Sequence, residues 1–211
     1  ELIEIRELEG IKAVAAQWYF EGNTQTKKDE FDVSLVGTNV DGLEFLDAEY
    51  VKGGPYTEKD AEAGKAYCII SEKDALKLFG STNVIGMEFT VTIWDDYEME
   101  VMVTGVTKSE ESSVIEELYA DPSVQVIVPP EAISAATGYD LQEDIADFYV
   151  LKEDDAEGMA VCEAVIDYLE AKHHCKDEQV YNYQSFDDQM AMINSVMSMI
   201  TFFVAFVASI S

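Results

Sequence analysis

Positive charge is scarce in this sequence. Its 211 residues include 13 lysine and arginine residues against 43 aspartate and glutamate residues, which gives a formal net charge of −30. Proteins that bind nucleic acid or an anionic membrane surface electrostatically do so with lysine and arginine. The charge therefore excludes a nucleic-acid binder of this kind and argues against electrostatic docking on a membrane. Hydrophobic residues nevertheless make up 48% of the chain, a fraction typical of folded proteins. We therefore expect a folded core beneath an acidic, solubilising surface.

Cysteine and histidine are also rare, with three and two residues respectively. Three cysteines are too few for a disulfide-built fold, and Cys68 and Cys162 lie in apolar contexts that predict small buried side chains. Cys175 follows His173 and His174, where a metal site is conceivable. No second ligand cluster occurs elsewhere, and two adjacent histidines rarely reach the same ion. We therefore predict no metal site and no cofactor.

Recognisable catalytic motifs are missing. The sequence has no Gly-x-Ser-x-Gly, no Walker loop, no Gly-x-Gly-x-x-Gly and no His-Glu-x-x-His. The stretch Gly53-Gly54-Pro55 lacks the lysine and the helix start that phosphate binding requires. Acidic pairs such as Asp95-Asp96 are expected by chance among 43 carboxylates. We predict that the chain is not an enzyme.

Hydrophobic periodicity predicts a mixed order of helices and strands. Apolar residues alternate with polar ones in half-buried strands and recur every three or four residues in helices. We predict strands at 11–20, 31–35, 43–52, 65–70, 87–93, 97–103, 124–128, 146–151 and 179–183. We predict helices at 1–9, 71–79 and 156–171, a helix start or turn at 57–60, and helices that begin at Pro129-Pro130 and at Ser185. Because the two types do not alternate regularly, the fold class is α+β.

Two of these helices have predicted ends and buried faces. Ser71 is a suitable N-cap and Gly80 a suitable C-cap for helix 71–79. Its inward-facing residues are expected to be Ala75, Leu76 and Phe79. For helix 156–171 we expect Asp154 or Asp155 as the cap. Its buried face is predicted to consist of Met159, Cys162, Val165, Ile166 and Leu169.

The C-terminal segment is apolar on all sides. No charged residue follows Asp188, and residues 196–210 are almost entirely hydrophobic. A membrane-spanning helix needs about 20 apolar residues, so we expect 191–211 to be the start of a truncated transmembrane helix. The absence of an initiator methionine agrees with a fragment of a longer polypeptide. The alternative is a buried C-terminal core helix.

A series of short motifs then resembles a known family. In order, they are Gly37-Thr38-Asn39, Gly53-Gly54-Pro55-Tyr56-Thr57 with Asp60, the strand at 66–71, Ala75-Leu76-Lys77-Leu78-Phe79-Gly80, Asn83-Val84-Ile85-Gly86, 102–106, 126–129 and 169–174. Their order and spacing, from about residue 11 to the end, are similar to those of the extracytoplasmic domain of MacB-like permeases of ABC transporters, in the FtsX-like superfamily. Gly54 and Met87 stand where that family usually has arginine and lysine, in keeping with the acidic surface.

The resemblance implies a two-lobed α+β fold. Residues 1–40 and 145–190 would form a discontinuous porter-like lobe near the membrane. Residues 41–144 would form an inserted, strand-rich sabre lobe, and the C-terminal helix would lead into a membrane span at 191–211. The motif residues expected to maintain this fold are Gly53, Phe79, Gly80, Gly86, Gly105 and Pro129. The residues expected on a coupling helix are Phe186, Met190, Ile193 and Met197.

The resemblance also implies a function. The chain would be the extracytoplasmic domain of a permease subunit in the cell membrane, coupling cytoplasmic ATP hydrolysis to export or signalling by mechanotransmission. Its partners would be a cytoplasmic ABC ATPase, a second permease copy, the lipid bilayer, and an exported peptide, lipoprotein or drug. The avoidance of basic residues agrees with a non-cytoplasmic location. The alternative function is a free-standing secreted or lipid-anchored binding module.

Overall fold

A computed structural model describes residues 1–27, 29–46, 48–109, 123–141, 145, 147–176, 180–186, 197 and 199. The helices are α1 (Leu2–Arg6), α2 (Val40–Phe45), α3 (Glu58–Glu62), α4 (Glu72–Phe79), α5 (Pro130–Thr137) and α6 (Gly158–His173). The strands are β1 (Ile11–Gln25), β2 (Glu30–Thr38), β3 (Tyr50–Gly53), β4 (Tyr67–Ser71), β5 (Glu88–Ile93), β6 (Tyr97–Thr107), β7 (Val124–Val128) and β8 (Phe148–Lys152). They belong to two compact units, one comprising Glu1–Lys12 with Lys152–Ser211 and the other Ala13–Leu151. The predicted lobe boundaries at 40/41 and 144/145 stay a prediction.

The larger unit is built on a β-sheet in which six of the strands pair in a closed ring. Its order is β2-β7-β4-β6-β5-β1-β8, and β1 also pairs with β2. The β1–β2 and β5–β6 hairpins are antiparallel, as the sequence predicts, whereas β2–β7 and β4–β6 are parallel. The short strand β3 pairs with β6. Six strands thus form a closed circuit, which leaves fewer unpaired edges than an open sheet.

The core of this unit follows from strand alternation. Every second residue along the end of β5 and along β6 is buried, while the residues between are more exposed. The buried residues of the two strands include Val91, Ile93, Met99, Val101 and Val103. The side chains of Ala75 and Leu78 on α4 and of Ala132 and Ile133 on α5 complete this core. Alternation therefore sets which face of each strand is buried.

Helix α4 corrects one expectation. Its N-cap is Ser71, whose hydroxyl accepts the Asp74 backbone N–H, and its C-cap is Gly80, both as predicted. Leu76 is 53% exposed, however, so its predicted inward orientation is wrong. Residues three and four positions after Ala75 share its helix face, and these are Leu78 and Phe79. Leu76 lies about 100° from Ala75 around the helix.

The predicted strand at 43–52 is also wrong over its first half. Residues 40–45 form the helix α2, and only Tyr50–Gly53 is a strand. The Asp41 carboxylate accepts the Val14 backbone N–H at 3.0 Å, and the Asn39 side chain contacts the Val14 carbonyl and the Ala16 N–H at 2.7 and 3.1 Å. These bonds to β1 replace ladder hydrogen bonds and position α2.

The smaller unit corrects three further expectations. Helix α6 begins after Glu157, which makes no side-chain cap bond, so Asp154 and Asp155 are not its cap. Its buried residues are Val161, Val165 and Leu169, which recur every four positions. The predicted face was rotated, because Met159 is 46% exposed and Cys162 and Ile166 are only partly buried. Residues 180–183 are not a strand, because their backbone joins no ladder within the described chain.

Cys68 is fully buried, as predicted, and burial raises the pKa of its thiol. Cys162 and Cys175 are partly buried, and none of the three cysteines forms a disulfide. Within the described residues, no helix has the length and hydrophobicity needed to cross a bilayer. The predicted span at 191–211 lies outside the described residues, apart from Met197 and Met199.

Candidate functional site

Two glycines lie opposite each other where β3 ends beside β6. Gly53 and Gly105 are register partners, and Gly53 has a φ of +66°. A β-carbon at Gly53 would lie 2.0 Å from the Thr104 carbonyl oxygen, and one at Gly105 would lie 2.7 Å from the Gly54 carbonyl oxygen. The two strands approach so closely that only glycine fits at both positions. Gly105 lies within β6, two residues before its end.

The other predicted motif residues lie around α4 and α5. The Phe79 ring packs edge-on against Phe89, with 5.8 Å between ring centroids. Gly80 and Gly86 have φ values of +69° and +80° at the two ends of the connection between α4 and β5. Pro129 immediately precedes α5, and its carbonyl accepts the Ala132 N–H at 3.1 Å. These residues shape the larger unit and do not converge on one reactive group.

In the smaller unit, polar side chains join the first helix to the last turns of α6. The Tyr168 hydroxyl donates to the Glu4 carboxylate at 2.6 Å, and the Lys172 ammonium group donates to the same oxygen. Lys172 also donates to the Tyr168 hydroxyl at 3.0 Å. One helical turn separates Tyr168 from Lys172, so both face Glu4 from the same side of α6.

This contact changes the electrostatics of its members. The Lys172 hydrogen bond, followed by that of Tyr168, lowers the pKa of Glu4 from 4.5 to about 2. The pKa of Lys172 is raised, chiefly by its hydrogen bond to Glu4. At neutral pH the pair is therefore fully charged. A second contact lies beside it, where the His173 Nε2 atom is 2.7 Å from a Glu1 carboxylate oxygen.

The segment that follows α6 exposes apolar and aromatic side chains. Val180 is 58% exposed and Phe186 is 73% exposed. The Tyr183 hydroxyl donates to the Met159 sulfur at 2.9 Å, and Tyr181 lies 6.0 Å from the His173 ring. Of the predicted coupling residues, Phe186 and Met197 are helical and exposed. Met190 and Ile193 lie outside the described residues.

The sequence reasoning missed the Glu4–Tyr168–Lys172 contact. The i,i+4 spacing of Tyr168 and Lys172 is visible in the sequence. The sequence does not indicate which of its 43 carboxylates these two side chains contact. The structure selects Glu4, which is separated from Lys172 by 168 positions. Within the described residues, no three histidine, cysteine, aspartate or glutamate side chains are grouped to hold a metal ion.

Comparison with known proteins identifies the family. Residues 1–167 match the model of the MacB-like periplasmic core domain. The chain belongs to this family. The family resemblance of the sequence motifs and the MacB-type α+β fold are thereby confirmed. No curated protein matches the sequence significantly.

Solved structures agree with this MacB-like fold. One is the extracellular domain of the noncanonic ABC-type transporter YknZ from Gram-positive bacteria, with a TM-score of 0.64, 22% identity and 83% of each chain covered. Another is the periplasmic region of MacB from Actinobacillus actinomycetemcomitans, with a TM-score of 0.64 and 17% identity. That match covers 83% of this chain and 74% of the other. At these identities the likeness shows the fold alone.

Proposed function

We propose that this MacB-like domain is the extracytoplasmic part of an ABC transporter permease subunit in the cell membrane. Its function is to couple ATP hydrolysis in the cytoplasm to export or signalling outside. Membership of the MacB-like periplasmic core domain family supports the location. The ATPase, a second permease copy and the bilayer are its proposed partners, and a peptide, lipoprotein or drug is its proposed cargo.

The observation that carries the coupling proposal is the Glu4–Tyr168–Lys172 contact. It holds α1 against the end of α6 through two hydrogen bonds to one carboxylate oxygen. In this proposal, displacement of the segment that follows α6 is passed to α1 through the hydrogen bonds that Tyr168 and Lys172 donate to the Glu4 carboxylate. In this proposal the segment from Ser185 transmits the motion as a helix. A continuous helix from 185 to 211 would be roughly 40 Å long at about 1.5 Å per residue.

The predicted lobes remain part of the proposal. The porter-like lobe, 1–40 with 145–190, would move with the membrane helices, and the sabre lobe, 41–144, would act on the cargo. The close contact between Gly53 and Gly105 supports a rigid connection within the larger unit, because no side chain separates the two strands there.

A charge-exchange experiment tests the contact in the complete permease with its ATPase, reconstituted in lipid. Hydrogen exchange of the α1 amides is compared between the nucleotide-free and ATP-bound complexes. We expect a nucleotide-dependent difference in the wild type, its loss in Lys172→Glu, and its recovery in the double variant Glu4→Lys/Lys172→Glu. Identical exchange in both nucleotide states of the wild type would disprove the coupling.

A second experiment tests the transmitting helix. Two prolines inserted near Asn194 would interrupt a helix, whereas two alanines inserted there would preserve it. We expect the proline variant to hydrolyse ATP but to show no ATP-dependent change in hydrogen exchange at α1. We expect the alanine variant to show the same ATP-dependent change as the wild type. If exchange at α1 still responds to ATP in the proline variant, the proposal that a continuous helix from Ser185 transmits the motion is wrong. The family assignment would still stand.

A further inference from the structure

An open cavity of about 720 Å³ lies in the larger unit, beside the turn that joins β5 to β6. Its walls come from the middle of β1, the start of β2 and the β5–β6 turn. The volume is within the usual range of small-molecule sites. The lining residues that matter for the argument are Tyr19, Glu21, Asn23, Asp32, Trp94 and Asp95. None of them belongs to the Glu4–Tyr168–Lys172 contact or to the glycine pair.

Two exposed aromatic rings line this cavity. Tyr19 is 67% exposed, and Trp94 is 47% exposed. The Trp94 ring makes edge-on contacts to Phe20, which also lines the cavity, and to Tyr139, with ring centroids 5.4 and 5.8 Å away. These contacts restrict the orientation of the Trp94 ring. Exposed aromatic faces attract organic cations, and tryptophan does so most strongly.

The backbone at Trp94 is held in an unusual conformation. Trp94 and Asp95 have φ values of +51° and +62°, and the Asp96 N–H donates to the Ile93 carbonyl across the turn. Glycine or asparagine usually occupies such positions, because a bulky side chain is disfavoured there. Tight turns between antiparallel strands require positive φ at their central residues. The turn places the Trp94 ring at the cavity despite this conformational penalty.

The charged groups in the cavity all have one sign. The carboxylates of Glu21, Asp32 and Asp95 line it, and none of its eleven described lining residues is basic. The Asn23 amide donates to Asp95 at 2.9 Å, which orients that carboxylate without neutralising it. Asn23 and Asp32 are register partners on β1 and β2, so Asp32 lies across the strands from the same amide. Carboxylates beside aromatic faces complement a cation carried on an apolar group.

We propose that this cavity binds an organic cation attached to an apolar or aromatic group. The carboxylates of Asp32 and Asp95 attract the positive charge, and the Trp94 and Tyr19 rings contact both the charge and its apolar neighbour. This binding site goes beyond the coupling function, and its existence does not depend on α1, α6 or the segment that follows them.

The test uses the whole chain in a nonionic detergent and follows the indole N–H resonance of Trp94 by NMR. The probe is benzyltrimethylammonium, and benzyl alcohol serves as an uncharged control of similar shape. A lysine-containing peptide, acetyl-Phe-Lys-Phe-amide, forms a separate arm that distinguishes a peptide source of the cation from a small molecule. We expect saturable shifts with at least one cationic probe and none with benzyl alcohol.

Variants then distinguish binding in the cavity from nonspecific attraction of cations to the acidic surface. Asp32→Asn/Asp95→Asn should raise the dissociation constant of the cationic probe at least about fivefold. The substitutions remove two negative charges that attract the cation and leave only the aromatic rings to bind it. The control Glu163→Gln/Asp167→Asn removes two charges from exposed positions on α6 and should leave the constant within about twofold. Tyr19→Ser removes an exposed ring, and circular dichroism checks that the fold is intact. Equal affinities in the cavity and control variants, or equal binding of benzyl alcohol, would overturn the proposal.

Discussion

Gly53 approaches the Thr104 carbonyl oxygen so closely that a β-carbon on it would lie 2.0 Å away. The neighbouring Gly54 N–H donates to that same oxygen at 3.1 Å. The backbone of β3 therefore ends its pairing with β6 in a contact that leaves no room for a side chain. Gly54, by contrast, has no atom within 4 Å of the place its β-carbon would occupy.

We predict that Gly53→Ala destabilises the larger unit and that Gly54→Ala does not. The added methyl group would force the backbone apart, and overpacking of this kind typically costs about 1–3 kcal/mol. The left-handed conformation at Gly53 adds about 1–2 kcal/mol for any residue with a β-carbon. Urea unfolding followed by circular dichroism measures both variants. Equal midpoints for the two alanine variants would show that the strands separate easily at this point.

A second prediction concerns Tyr56, which is 1% exposed and donates its hydroxyl to the Thr38 carbonyl at 2.7 Å. Tyr56→Phe should reduce the free energy of unfolding by about 1–2 kcal/mol, because the buried carbonyl loses a hydrogen bond that water cannot replace. Tyr19→Phe is the matched control, since its hydroxyl bonds to Gln17 at the surface. If Tyr56→Phe lost less free energy of unfolding than Tyr19→Phe, the stabilising role of the Tyr56 hydrogen bond would be contradicted.

The third prediction concerns the attachment of α1 to α6. Glu4→Gln keeps the size of the side chain but removes the charge that Lys172 and Tyr168 bind. We expect faster hydrogen exchange at the α1 amides and little change in the β-sheet. Glu7→Gln removes a charge from the exposed C-terminal end of the same helix and should leave the exchange rates unaltered. Unaltered rates in Glu4→Gln would mean that apolar packing alone holds α1.

The fourth prediction is the pH dependence of this contact. The pKa of Glu4 is lowered from 4.5 to about 2 by its bonds to Lys172 and then Tyr168, so folding favours its deprotonated form. The stabilisation is complete above about pH 4.5 and is lost as the pH falls toward 2. The ¹³C shift of the Glu4 carboxyl group, recorded against pH, should have its midpoint near 2. A midpoint near 4.5 would show that the contact does not persist in solution.

Local features of this chain were predictable because their causes are local. The alternation in β5 and β6 sets their buried faces, and the Ser71 and Gly80 caps set the ends of α4. The family could be identified from the order of its motifs. Chains that share a backbone fold need glycines and strand ends at the same spacings along the sequence.

Other features depended on residues far apart in the sequence. Residues 40–45 form a helix because the side chains of Asn39 and Asp41 bond to β1, and no local pattern indicates those partners. In the same way, Glu4 is joined to Lys172 across 168 positions, although dozens of other carboxylates have the same chemistry.

The amino-acid sequence alone thus determined the acidic surface, the buried faces of β5 and β6, the caps of α4 and the family. Only the tertiary structure decided which carboxylate meets which cation, how β3 passes β6, and that Trp94 and three carboxylates share a cavity. The physical reason is that periodicity and capping act over a few residues, whereas contacts between distant groups exist only after the chain has folded.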